Sequence, residues 1–250
     1  MLDFINVISQ FRIEGAVESI SPIGNGLINE TLRVTTVGTD TPDYILQRIN
    51  DTVFTDVDLL QHNIETVTAH IRHKLEAQGE QDIDRKCLRF IETSAGKTYY
   101  KDGNGRYWRM SVFIPDTCTK EEVNPENAFC CGETFGNFEQ MLVDLKEPLG
   151  ETIPDFHNME LRLRQLQEAV KADKMGRVAS VRDILDELEC SADEMCLAER
   201  LYRKGTLPKR ICHCDTKVNN MLFDADGKVL CVIDLDTVMP SFVFSDYGDF

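Results

Sequence analysis

The hydrophobic pattern of this chain of 250 residues turns at Pro115 from mainly strand-like to mainly helical, and that change limits the folds open to it. Before Pro115, short β-branched or alternating runs are broken by turn residues. They are Val17 to Ile23, Leu32 to Val37, Tyr44 to Ile49, Cys87 to Glu92, Lys97 to Lys101 and Tyr107 to Ile114. Gly24-Asn25-Gly26 and Asp102-Gly103-Asn104-Gly105 stand between runs as turn signals. Helical spacing interrupts them at Leu2 to Phe11 and, at length, from Asp56 to Leu75, where Val57, Leu60, Ile64, Val67 and Ile71 paint one face.

After Pro115 the segments Ala128 to Leu145, Met159 to Lys174 and Val181 to Tyr202 follow helical spacing. Strand patterns return only at Arg210 to His213, Met221 to Phe223 and Lys228 to Ile233, with Asp224-Ala225-Asp226-Gly227 as the turn between the last two. The order predicts an α+β fold of two lobes. Residues 1–114 form an antiparallel sheet with one long helix, and residues 115–250 form a mainly helical lobe. The crevice between lobes is the expected ligand site.

The chemistry concentrates in His213-Cys214-Asp215-Thr216-Lys217-Val218-Asn219-Asn220, the apolar hairpin after it, and Ile233-Asp234-Leu235-Asp236. Phosphoryl transfer needs a carboxylate to take the hydroxyl proton, a cation on the migrating group, and oxygen ligands holding magnesium against the phosphates. Asp215 and Asn220 have the Asp-to-Asn spacing of a kinase catalytic loop, and Asp234 follows the hairpin where the principal magnesium ligand of that template stands. Lys217 is the nearby cation. His213, a lone histidine before the Asp, reads as a packing residue.

These residues, together with Thr237-Val238-Met239-Pro240 and Tyr44-Ile45-Leu46-Gln47-Arg48-Ile49-Asn50, resemble the aminoglycoside phosphotransferase and choline kinase superfamily, and within it the N-acetylhexosamine 1-kinase group. The resemblance runs over nearly the whole chain. It implies a protein-kinase-like fold, ATP and Mg2+ as cofactors, Asp215 as catalytic base, Asn220 and Asp234 as magnesium ligands, and Asp236 as a further ligand. The acceptor it implies is the anomeric hydroxyl of an N-acetylhexosamine. Lys217 departs from the histidine common at this place in aminoglycoside phosphotransferases. The chain ends at Ser245-Asp246-Tyr247-Gly248-Asp249-Phe250, where the resemblance implies further helices.

Upstream, Ser21 to Thr31 resembles a nucleotide loop, with Gly24 and Gly26 letting backbone N–H groups approach phosphate and Asn29 in the same stretch. The third strand is expected to present a cation to the phosphates. Alternation sends only one of Gln47 and Arg48 into the crevice. Arg48 has the charge and is preferred, with Glu65 of the long helix to hold it. Asp155 and His157, in Thr152-Ile153-Pro154-Asp155-Phe156-His157, are expected to touch the acceptor. Arg109, beside Trp108, reads as a structural salt-bridge partner without a function.

A net charge of -16 argues against nucleic acid and anionic membrane as partners, because a polyanionic surface repels both. No apolar run reaches bilayer length and no basic, apolar leader opens the chain, so a cytoplasmic protein with a small-molecule partner is expected. Nine scattered cysteines read as reduced thiols, and Cys212-His213-Cys214 lacks zinc-ligand spacing. Two alternatives remain open: an aminoglycoside, choline or homoserine kinase, and a non-catalytic pseudokinase. Gly24-Asn25-Gly26-Leu27-Ile28-Asn29 lacks the third glycine of a dinucleotide fingerprint.

Overall fold

The structure, a computed structural model, describes residues 2–24, 28–125 and 127–250. A short helix α1 (Leu2–Ile8) precedes strands β1 (Val17–Pro22), β2 (Glu30–Thr36) and β3 (Tyr44–Ile49). Helix α2 (Val57–Ala77) and a single turn α3 (Ile83–Lys86) lead to β4 (Tyr99–Lys101) and β5 (Tyr107–Val112). The five strands form one antiparallel sheet in the order β1-β2-β3-β5-β4. Then come helices α4 (Ala128–Met141), α5 (Met159–Ala172), α6 (Arg182–Met195) and α7 (Leu197–Arg203). The chain closes with β6 (Arg210–Cys212), β7 (Met221–Phe223), β8 (Val229–Val232), β9 (Met239–Ser241) and α8 (Val243–Asp249). This is the α+β, kinase-like arrangement expected.

Local sequence accounts for the long helix. Asp56 caps α2 by accepting a hydrogen bond from the Leu59 amide at 2.9 Å, satisfying a donor the helix cannot. The apolar face Val57, Leu60, Ile64, Val67 and Ile71 is buried, each side chain contributing about 1.5–3 kcal/mol of transfer free energy. That face does not pack on the sheet alone. Its core includes Ile49 and Phe54 on one side and Phe138, Leu142, Leu235 and Val238 on the other, so α2 is shared by the sheet and the C-terminal half. Asn63, fully buried in the same helix, donates to the carbonyls of Gly150 and Val238 at 2.8 and 2.9 Å.

Two expected elements differ in the structure, and β9 is a strand beyond those the sequence pattern marked. Cys87 to Glu92 makes one isolated bridge, Phe90 to Ser111, instead of a strand. The outer edge of β5 is already taken along residues 107–109 by β4, leaving little length to pair. The helix expected over Val181 to Tyr202 breaks at Cys196, whose ψ is 0°. Pro240 lies inside β9, which pairs with β6 as a two-stranded ribbon where a proline costs no central hydrogen bond.

Candidate active site

The ribbon of β6 and β9 delivers the segment after Cys212 to a tight turn, where Cys214 takes a left-handed φ of 64°. Such a backbone is unfavourable for a non-glycine residue and must be held by its surroundings. Asp246 of α8 holds it. One carboxylate oxygen accepts the His213 amide at 2.6 Å and the other the Cys214 amide at 2.8 Å, while the Thr216 hydroxyl donates to the Asp246 carbonyl at 2.6 Å. The Thr237 hydroxyl donates to the His213 carbonyl at 2.8 Å. His213 is wholly buried, lies edge-on to Phe135 and Phe138, and has a ring nitrogen 3.0 Å from the Ile233 carbonyl. Burial pushes its pKa down, so the ring is a neutral packing element.

Beyond this clamp Asp215 is half-exposed. Asn220, buried, donates from its amide to the Asp215 carbonyl at 2.8 Å and to its carboxylate at 3.0 Å. Lys217 Nζ lies 2.8 Å from the same carboxylate oxygen. The three residues singled out for catalysis and the first metal contact are therefore one cluster, closed by a short helical turn at Val218–Asn220.

Asp234 and Asp236 follow β8, which pairs with β7. Asp234 has φ of 57° and opens to solvent. The crowding protein around it, then the charges of Asp236 and Asp215, push its carboxyl up to about 6, against the pull of Arg109 and Lys217. Asp234 keeps exposed surface, yet the protein packed around it and the neighbouring carboxylates account for the shift. Asp236 is buried and bound on both oxygens, by Arg109 in an ion pair of 2.5 Å and by the Asn29 amide at 2.7 Å. Arg109 in turn donates to Gln47 at 3.0 Å, and Gln47 to Thr31 at 3.2 Å. A polar chain thus runs from β2 through β3 and β5 to the residues after β8.

This donor set fits magnesium. The cation takes hard oxygen ligands, and carboxylates crowded enough to raise Asp234 are relieved by a divalent charge. Asn220 and Asp234 would hold it, Asp236 standing behind with both oxygens engaged.

The remaining expected residues divide. Gly24 has φ of 72° with open space where a Cβ would stand, and Gly26 lies outside the described residues. Asn29 is a tie between regions, also accepting the Asn50 amide at 3.0 Å. Arg48 is turned away. It is exposed, 3.8 Å from Glu30, on the face where Tyr44 and Leu46 pack against α1, whereas Gln47 shares the inward face with Ile49. Alternation gave two registers, and the burial of Ile49 under α2 selects the one that excludes Arg48. Glu65 does not hold a strand cation: exposed on α2, it accepts the Thr98 hydroxyl. Asp155, at φ of 56°, and His157, stacked on Phe156 with ring centroids 4.5 Å apart, line a pocket with Glu151, Glu199, Lys209 and Cys214. The pocket adjoins the residue before Asp215.

Sequence reasoning missed Asp246; it expected a salt bridge for Arg109, which the pair with Asp236 is, but did not name the partner. Asp246 stood in a stretch noted only for its position at the chain's end, and no local pattern ties it to residues some thirty positions earlier. Arg109 had a signal, a charge alternating with the buried Trp108 and Met110 inside a strand, which implies a buried partner.

A model of the phosphotransferase enzyme family, APH, matches residues 19–250. The chain is similar to the GDP and kanamycin complex of APH(2")-IIia at 16% identity and a TM-score of 0.63, over 99% of this chain and 76% of that one. It is similar to an aminoglycoside phosphotransferase from Alicyclobacillus acidocaldarius at 18% identity and a TM-score of 0.60, over 98% and 68%. The amicoumacin kinase hAmiN, solved with AMP-PNP, Ca2+ and Ami, aligns at 13% identity and a TM-score of 0.58, over 100% and 67%. At these identities the likeness concerns the fold.

Proposed function

The chain belongs to the phosphotransferase enzyme family, and from that premise we propose that it transfers the γ-phosphoryl group of ATP to a small-molecule hydroxyl, with Asp215 as the proton acceptor. The observation that carries the reading is the cluster of Asp215, Lys217 and Asn220 on a clamped loop facing Asp234. A loose phosphoryl-transfer transition state gains mainly from positioning and charge neutralisation, and this cluster supplies both. Asn220 fixes the Asp215 carboxylate by hydrogen bond. That carboxylate orients the acceptor hydroxyl and takes its proton as the new P–O bond forms and the bond to the ADP leaving oxygen breaks. Lys217, exposed and already beside Asp215, is within reach of the migrating group. Magnesium, when bound, neutralises phosphate charge as a Lewis acid.

The acceptor lies in the pocket beside Cys214. Asp155 and His157 offer the carboxylate and ring nitrogen that bind vicinal sugar hydroxyls, and the sugar is an N-acetylhexosamine taken at its anomeric hydroxyl. A specific observation favours a second reading: Glu151, Asp155 and Glu199 outnumber Lys209 there, and Lys209 is held by Glu151 at 2.8 Å, which suits a cationic acceptor. ATP consumption across N-acetylhexosamines, hexoses, choline, homoserine and aminoglycosides separates the two. Turnover with an N-acetylhexosamine and an acid-labile 1-phosphate product supports the first. Turnover only with amine-bearing acceptors replaces it with the second.

A further inference from the structure

The clamp on the catalytic loop has an unexplained neighbour. Asp246, 5% exposed, uses both carboxylate oxygens to hold the His213 and Cys214 amides. A carboxylate oxygen of Asp246, one of Glu139 from α4 and the Cys212 sulfur all lie within 4.8 Å of one another. Glu139 Oε1 is buried and has no hydrogen-bond partner. Among the described residues no lysine, arginine or histidine pairs with either carboxyl. Two carboxylates facing each other, one buried and one partly buried, without a cation do not both ionise at slightly acid pH; one keeps a proton.

We propose that Glu139 is a positioning residue: a carboxylic acid whose proton is donated as a hydrogen bond to Asp246, fixing the aspartate that clamps the loop leading to Asp215. The proposal rests on the reading of Asp215 as catalytic for its consequence, and on the geometry alone for its existence.

The proton belongs on Glu139 because the Asp246 carboxylate already accepts two backbone N–H bonds, which favour its charged form. Burial and then the charge of Asp246 push Glu139 up to about 7, against the pull of the Cys212 thiol beside it. The other titratable groups facing this point are the thiols of Cys212 and Cys214, the neutral His213 ring, and Asp249 one turn along α8. None supplies a positive charge. A metal ion is the competing explanation for three such ligands, but burial drives the Cys212 thiol away from the thiolate a metal needs, which leaves only the two carboxylates as donors. A shared proton satisfies the orphaned oxygen without displacing either backbone bond. Helix α4 is well placed to transmit the contact, because Phe135 and Phe138 of the same helix pack edge-on against His213 in the clamped loop.

Carbon-13 labelling of the glutamate carboxyls in the whole chain tests this without a variant. One carboxyl carbon should titrate near pH 7, while glutamates of ordinary environment finish about two units lower. If every glutamate titrates in the ordinary range, the proposal is overturned. Glu139→Gln retains a donor at every pH, whereas Glu139→Ala removes it. The Gln variant should lose the neutral titration and keep wild-type hydrogen-exchange protection of the His213 and Cys214 amides at pH 6. At pH 8.5 it should exceed the wild type, in which Glu139 has ionised. The Ala variant should lose protection at least tenfold at both pH values. Equal protection in all three proteins refutes the positioning role. A Gln variant that fails to fold leaves the carbon titration of the wild type to decide. Neither readout needs a substrate, so failure of the phosphotransfer reading would show in turnover assays and leave these results standing.

Discussion

Arg109 of β5 and Asp236, two residues past Asp234, form an ion pair of 2.5 Å in which both side chains are 3% exposed. It ties the N-terminal sheet to the segment carrying the candidate metal ligand. Removing one member of such a pair strands a buried charge, which costs about 3–5 kcal/mol, far more than the pair's net contribution. Arg109→Met should therefore lower unfolding free energy by about that amount in urea titrations. The double variant with Asp236→Asn should lose clearly less than the sum of the two single losses. Strict additivity would show that the residues do not act as a pair.

A second consequence concerns acid. Asp102, in the turn between β4 and β5, accepts hydrogen bonds from Trp108 Nε1 at 3.0 Å, Arg106 Nε at 2.7 Å and the amides of Asn104 and Arg106 at 2.9 and 3.0 Å. Burial raises the carboxyl, and these bonds, led by those from Trp108 and Arg106, outweigh it and bring it down to about 2. A pKa depressed on folding contributes stability that is complete above the unfolded value, near 3.9, and is lost as pH falls through the folded value. The stability gap between wild type and Asp102→Asn should accordingly be constant above about pH 5 and close between about pH 4 and pH 2. A gap unchanged at low pH contradicts the assignment.

The metal assignment predicts a thermal signature. A ligand that binds only the folded protein stabilises it by mass action, so ATP with magnesium should raise the midpoint more than ATP alone. Asp234→Ala should abolish most of that magnesium-dependent increment while Arg48→Ala leaves it intact, since Arg48 is exposed beside Glu30 on the face of β3 opposite Gln47. A full increment in the Asp234 variant would remove this residue from the ligand set.

How far the sequence could be read follows from which forces are local. Strand β3 was legible to the residue, because Pro42 and the alternating run define it, and α2 to within two residues, because Asp56 and the apolar spacing do. The direction of the third strand's side chains was not legible from that strand by itself. Both registers bury apolar residues, and only the packing of Ile49 under α2 decides between them. The candidate cluster was legible because Asp215, Lys217 and Asn220 are near neighbours in the chain, at the spacing that the proposed chemistry would require. Asp246 and Glu139 were hidden for the opposite reason. They meet the loop through tertiary contacts from two separate helices, and carboxylates on amphipathic helices look like solvated ones in a sequence.

The central claim is that Asp215 takes the acceptor proton in a phosphotransfer supported by Asn220 and Asp234. Asp215→Asn keeps the shape and the contact to Asn220 while removing the base, and general-base losses run about 10²–10⁴-fold. Steady-state turnover of ATP with its best acceptor, measured beside ATP affinity for wild type and Asp215→Asn, is the most direct test. With Asp215 as the base, kcat should fall within that range while ATP affinity stays within about twofold. A variant that turns over at close to the wild-type rate contradicts it.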